Sequence, residues 1–148
     1  MPADRRAVQG AETVEVTIPA RAEFVSVARL TAAAVAARRG FTYDEIEDLK
    51  IAVGEACASL IVSGTDPGRP MTVRFLLGDG ALEIQIETRA PAVALHPSKG
   101  GRDLDEAPLD ESRLGIFLMQ CLVDEVEARH DSGTGVTRLR LVKRRQGA

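Results

Sequence analysis

The sequence has no Trp, one Tyr and four Phe, which leaves few flat rings for unpaired bases to stack on. It has no basic excess either: 19 Lys and Arg stand against 22 Asp and Glu, a formal net of −3. A nucleic-acid binder usually shows a basic domain or stripe, so that class is not expected. No apolar run approaches the roughly 20 residues of a membrane span. Residues 1–10 are not followed by the apolar core of a secretory signal. A cytoplasmic protein touching neither nucleic acid nor membrane is the expectation. Only two cysteines occur, Cys57 and Cys121, far apart and outside any CxxC pair, so zinc and dithiol redox chemistry have no support. Both lie in apolar runs and read as reduced core residues. His96 and His130 lack metal-ligand spacing and read as surface residues beside turns.

What remains is globular material, 45% hydrophobic and 28% charged over 148 residues, enough for one domain with its own core. Residues 1–12 read as a disordered tail and 13–145 as the domain. Val14, Val16 and Ile18 alternate as a half-buried strand that Pro19 stops. An Ala-rich helix is expected over 24–39, with Phe24, Val27, Ala28, Leu30 and Val35 making a loose helical stripe and Gly40 as its C-cap. Thr42 and Glu45 fit a capping box. Ile46, Leu49, Val53, Ala56 and Leu60 then recur every three or four residues as the inner face of a second helix. Ser63-Gly64 ends it, and Asp66-Pro67-Gly68 makes a turn. Two alternating strands, Met71 to Leu77 and Leu82 to Ile86, flank Gly78-Asp79-Gly80, which supplies the positive-φ residues of a hairpin loop. Residues 90–112 show no period. A third helix over 114–123 is expected to face inward through Leu114, Phe117, Leu118, Cys121 and Leu122. A last hairpin pairs 125–130 with 136–142 through Asp131-Ser132-Gly133. The order β-α-α-β-β-loop-α-β-β predicts an α+β, two-layer sandwich, with three helices on one face of a mixed, mainly antiparallel sheet.

Glu55 carries the most chemistry. On a helical wheel it lies opposite the Leu49/Val53/Leu60 stripe, among Ile51, Ala58 and Val62 as well as Asp48 and Ser59. A carboxylate among apolar neighbours suits a general base if a cleft lies there; otherwise it is a solvated helix residue. Both readings stay open on periodicity alone. Ser98-Lys99-Gly100-Gly101 lacks the strand-before, helix-after context of a phosphate loop. The acidic residues between 103 and 111 read as a solvated loop. The basic run Arg138, Arg140, Lys143, Arg144 and Arg145 reads as one wet sheet face.

The segment Asp48-Leu49-Lys50-Ile51-Ala52-Val53-Gly54-Glu55-Ala56-Cys57 resembles the N-box helix of the bacterial anti-sigma-factor serine kinases, small members of the gyrase and histidine-kinase ATPase superfamily. Leu114-Gly115-Ile116-Phe117-Leu118-Met119 followed by Val123-Asp124-Glu125-Val126-Glu127 resembles the second glycine box, its helix and the next strand. Gly133-Thr134-Gly135-Val136 leading to Val142-Lys143-Arg144 resembles the closing strand. The three stand in order from about Val14 to Arg145, and 90–112 falls where the family has its nucleotide lid. The resemblance implies the histidine-kinase-like ATPase fold, ATP with magnesium as cofactors, a sigma factor and an anti-anti-sigma protein as partners, and a homodimer.

Carried over position by position, the resemblance implies Glu55 as general base and Ser59 at the magnesium-holding asparagine. The implied nucleotide positions are Ser59, Thr88, Ala90, Ala92, Arg113, Gly115 and Thr134. Phe24, Val25, Val27 and Arg29 are the implied partner-binding face of the first helix. Several positions depart from the pattern. Serine is shorter than the amide it replaces at 59. Thr88 stands at the adenine-binding aspartate, without charge assistance. Ala90 and Ala92 replace glycines that permit close backbone approach, and Pro91 removes a donor between them. Arg113 stands where a glycine is common, leaving Gly115. Two functions follow: an anti-sigma regulator whose ATP binding is weakened or lost, or an active ATP- and magnesium-dependent serine protein kinase acting on an anti-anti-sigma partner.

Overall fold

The structure is a computed structural model and describes residues 12–62, 66, 68–90 and 111–147. Strand β1 (Glu12–Pro19) leads through a 3-10 turn (Ala22–Phe24) into α1 (Val25–Arg38), then α2 (Tyr43–Val62), β2 (Pro70–Leu77), β3 (Ala81–Arg89), α3 (Glu111–Leu122), β4 (Glu125–Asp131) and β5 (Val136–Arg144). The expected element order holds. The five strands run β1-β2-β3-β5-β4, and all four pairings are antiparallel.

The local signals explain the element ends. Gly40 takes φ +79°, the left-handed conformation that closes α1. The capping box forms in both directions: the Thr42 amide donates to Glu45 Oε1 (2.7 Å) and the Glu45 amide to Thr42 Oγ1 (3.2 Å). Burial pushes the Glu45 carboxyl up, but hydrogen bonds from the Thr42 and Gln146 amides outweigh it and hold the group below its ordinary value. In the β2–β3 loop Gly80 alone adopts positive φ; Gly78 instead donates its amide to the Ala81 carbonyl. The Asp66 turn closes through a bond from the Arg69 amide; Pro67, Ser63 and Gly64 lie outside the described residues.

The core fills the space between the helical layer and one sheet face, where Met71, Val73, Phe75, Leu82, Ile84, Ile86 and Leu141 meet Leu49, Val53, Ala56 and Leu60 of α2. The other two helices sit differently from expectation. In α1 the buried residues are Ala28, Ala32, Val35 and Ala36, while Val27 and Leu30 are 42% and 64% exposed. In α3 they are Gly115, Ile116 and Met119, while Leu114, Phe117 and Cys121 are exposed. In α1 the alanine stripe turns inward, because small side chains let helix backbones approach closely; in α3 Gly115 does the same beside the larger Ile116 and Met119. Cys121 is therefore a surface thiol. Cys57 is a core residue as expected, its pKa pushed up to about 12 by burial, which makes it an inert thiol.

Candidate functional site

Helices α2 and α3 bring three of the sequence-derived positions together. A Cβ on Gly115 would stand 3.0 Å from Glu55 Oε1 and 3.6 Å from Ser59 Oγ. Gly115 is helical, with no unusual φ, so its lack of a side chain serves close helix packing here. Glu55 is half-buried and Ser59 buried. The Ser59 hydroxyl donates to the Glu55 carbonyl one turn back (2.9 Å), a common local bond for a helical serine. On the other flank of Glu55, a Cβ on Gly54 would stand 3.1 Å from Arg29 Cδ, so the Arg29 stem lies across α2 at that glycine.

A second cluster lies at the end of β3. Thr88 is buried, and its hydroxyl donates to the Pro70 carbonyl of β2 (2.9 Å). Its neighbour across the β3–β5 ladder is Thr137, buried as well, whose hydroxyl donates to the Ala90 carbonyl (2.9 Å). The Ala90 amide donates to the Gly135 carbonyl (3.1 Å). Thr134 stands apart, in the exposed β4–β5 turn, where its hydroxyl accepts from the Val136 amide. Thr137 was missed in the sequence because it reads as one more strand residue; only the register places it beside Thr88. Ala92 and His96 lie outside the described residues, as does the side chain of Arg113 in the first turn of α3.

The resemblance puts Ser59 and Thr88 at the magnesium and adenine positions, where each is a weaker partner than an asparagine or an aspartate. A metal-holding side chain must offer an oxygen that reaches the ion, whereas the Ser59 hydroxyl sits on its own helix backbone. Thr88 carries no charge; its hydroxyl donates to the Pro70 carbonyl and keeps lone pairs that accept only without charge assistance. Among the described residues no group of three or more His, Cys, Asp or Glu could hold a metal.

On the proposed partner face, Val27 and Arg29 are exposed, but Phe24 and Val25 are half-buried against the core. Arg21 stacks over the Phe24 ring, 5.4 Å from its centroid. Large apolar side chains are instead exposed on all three helices: Val27 and Leu30, Ile51, and Leu114 and Phe117.

The opposite sheet face is covered by charges that pair with one another. Arg74 bonds Glu15 and Glu87, Arg138 bonds Glu87, Arg140 bonds Glu83 and Glu125, and Arg144 bonds Glu125. These pairs neutralise the strand arginines that a nucleic-acid surface would leave available. Lys143 points to the helical side, where its ammonium donates to the Leu122 carbonyl (2.7 Å) and faces Asp48 (3.5 Å). Among the described residues no helix is long and apolar enough to cross a membrane.

Residues 18–143 match the family model described as the histidine kinase-like ATPase domain. The chain belongs to this family. Within it, the chain stands with the anti-sigma-factor serine kinases. It is 38% identical over 140 residues to the serine-protein kinase RsbW of Halalkalibacterium halodurans, covering 90% of this chain and 85% of that one. It is 37% identical over 142 residues to the RsbW of a Bacillus cereus strain, covering 91% and 88%. Among solved structures, the RsbU and RsbW domains of a Mycobacterium tuberculosis protein superpose with a TM-score of 0.66 at 17% identity, over 90% of this chain and 32% of that longer chain. The SiaB–SiaC complex of Pseudomonas aeruginosa gives 0.62 at 14% identity, over 95% of both chains. This histidine kinase-like fold sets its helices on one sheet face, the arrangement that brings α3 against Glu55.

Proposed function

We propose that this chain is an anti-sigma regulator that works by binding a sigma factor through the outer surface of its helical layer, with a weakened nucleotide site. The exposed apolar residues on α1, α2 and α3 carry the reading. A contiguous exposed apolar surface marks a place where another protein docks, and these side chains all lie on helices of one layer. Leu30, 64% exposed, joins Val27 and Arg29 on α1. A homodimer and an anti-anti-sigma protein as counter-ligand are further parts of this reading, supported by family resemblance. The weakened nucleotide site rests on Ser59, shorter than an asparagine amide, and on Thr88, which accepts without charge assistance.

The test is co-precipitation of the host's sigma factors with the wild-type chain and with Leu30→Glu. Capture by the wild type and loss in Leu30→Glu, at an unchanged melting temperature, supports the reading. Failure of the wild type to capture any sigma factor overturns it.

A second reading is favoured by the 37–38% identity to serine-protein kinases, with Glu55 their general base by resemblance. In that case Glu55 accepts the proton of a partner's serine hydroxyl as phosphoryl transfer proceeds. Incubating the chain with labelled ATP and a candidate anti-anti-sigma protein separates the two. Transfer lost in Glu55→Gln supports the kinase, and no transfer by the wild type removes it.

A further inference from the structure

Three hydrogen-bonding groups form a row at the end of the sheet, and two of them, His130 and Thr137, belong to none of the implied site positions. His130 Nδ1 lies 2.8 Å from Thr137 Oγ1, and Thr137 Oγ1 lies 2.9 Å from the Ala90 carbonyl oxygen. A carbonyl only accepts, so the single hydroxyl proton of Thr137 goes to Ala90. The contact with His130 then has one polarity: Nδ1 carries a proton and donates it. A neutral His130 in this row is the Nδ1–H tautomer, and a protonated one keeps the same bond. Cross-strand pairing holds the parts in register, His130 against Thr137 and Thr137 against Thr88.

We propose that His130 is a positioning residue of the candidate nucleotide cleft, acting through the Thr137 hydroxyl on the carbonyl of Ala90. With His130 donating, the Thr137 hydroxyl keeps one orientation, and Ala90 is held through both its backbone groups: its amide to Gly135 in the β4–β5 turn and its carbonyl to Thr137 in β5. Thr88 and Ala90 stand at the first-glycine-box positions, so His130 sets the backbone there without being part of the box. What is positioned rests on the cleft reading given above. The relay itself does not.

The experiment is nuclear magnetic resonance on the full chain. The ¹⁵N shifts of His130 in its neutral form report the tautomer, and hydrogen exchange of the Ala90 amide reports the tie to β5. The wild type is expected to show Nδ1–H. His130→Ala removes one hydrogen bond of ordinary strength, so Ala90 exchange rises roughly fivefold. His130→Asn, whose side-chain amide reaches the Nδ1 position, restores it to within about twofold. An Nε2–H tautomer, or exchange unchanged in His130→Ala, overturns the proposal. Equal acceleration in the Ala and Asn variants also overturns it, because the effect is then a packing change. No nucleotide enters either readout, so loss of the weakened-site reading would leave these outcomes unaltered. A wild-type chain that shows the relay while Mg·ATP shifts Glu55 but neither Thr88 nor Ala90 overturns the assignment of His130 to the cleft.

Discussion

The Glu55 carboxylate rests against the bare backbone of Gly115, with Oε1 3.0 Å from where a Cβ would be. The atom in the way is the far end of a flexible side chain, so a methyl group there displaces the carboxylate rather than the helix. Gly115→Ala also gains helix propensity of about 1 kcal/mol. The expected result is a melting temperature within about 4 °C of wild type, since roughly 1 kcal/mol corresponds to a few degrees at this size. The Glu55 side-chain carboxyl resonance is expected to shift clearly. An unmoved carboxyl resonance would contradict the packing described.

Restoring the missing groups is expected to restore the nucleotide site. In Thr88→Asp without nucleotide, a carboxylate replaces the hydroxyl beside the Pro70 carbonyl. A buried acceptor without a donor costs about 1–3 kcal/mol, so the free variant should melt lower. Combined with Ser59→Asn, it should bind Mg·ATP at least roughly tenfold more tightly than wild type, or about 1.4 kcal/mol. Calorimetric titration of both proteins checks this.

Acid should weaken the fold partly through Glu87. Burial pushes this carboxyl up, but hydrogen bonds from Arg138 and Arg74 outweigh it and hold it below the ordinary value. The folded state therefore favours the charged form. Its contribution is complete above the unfolded-chain value of about 4.3 and is lost as pH falls through the lower folded value. Glu87→Gln should cost about 1 kcal/mol or less at neutral pH, because its arginine partners are partly exposed. Its stability should fall less steeply than that of wild type below roughly pH 4. Urea titrations of the two proteins across that range provide the comparison.

Charge placed on α1 should separate docking from folding. Leu30→Glu touches an exposed side chain and should change stability by less than about 0.5 kcal/mol. Val25→Glu buries part of a charge against the core and should destabilise by about 1–3 kcal/mol. Thermal melts of the two variants show which of them can serve as a clean probe of partner binding.

Much of this was legible in the residues, and the failures share a cause. Alternation fixed the strands, and the Thr42–Glu45 box and the Leu49/Val53/Leu60 stripe placed α2, because each is a local pattern with one solution. The rotations of α1 and α3 were not legible. Both helices hold two apolar stripes, and the choice depends on partners distant in sequence: α1 packs on α2, and Gly115 meets Glu55 and Ser59. Gly115 carries no hydrophobic signal, although it is the point of closest approach. Within the site, Glu55 and Ser59 were legible as helix neighbours. Thr137 and His130 were not, since their roles arise from cross-strand register and from counting protons.

Isothermal titration of the wild-type chain with Mg·ATP tests the central claim most directly. With a short hydroxyl at position 59 and an uncharged acceptor at position 88, the account predicts millimolar affinity or no detectable heat. A micromolar dissociation constant, weakened when Ser59 is replaced by Ala, would contradict it.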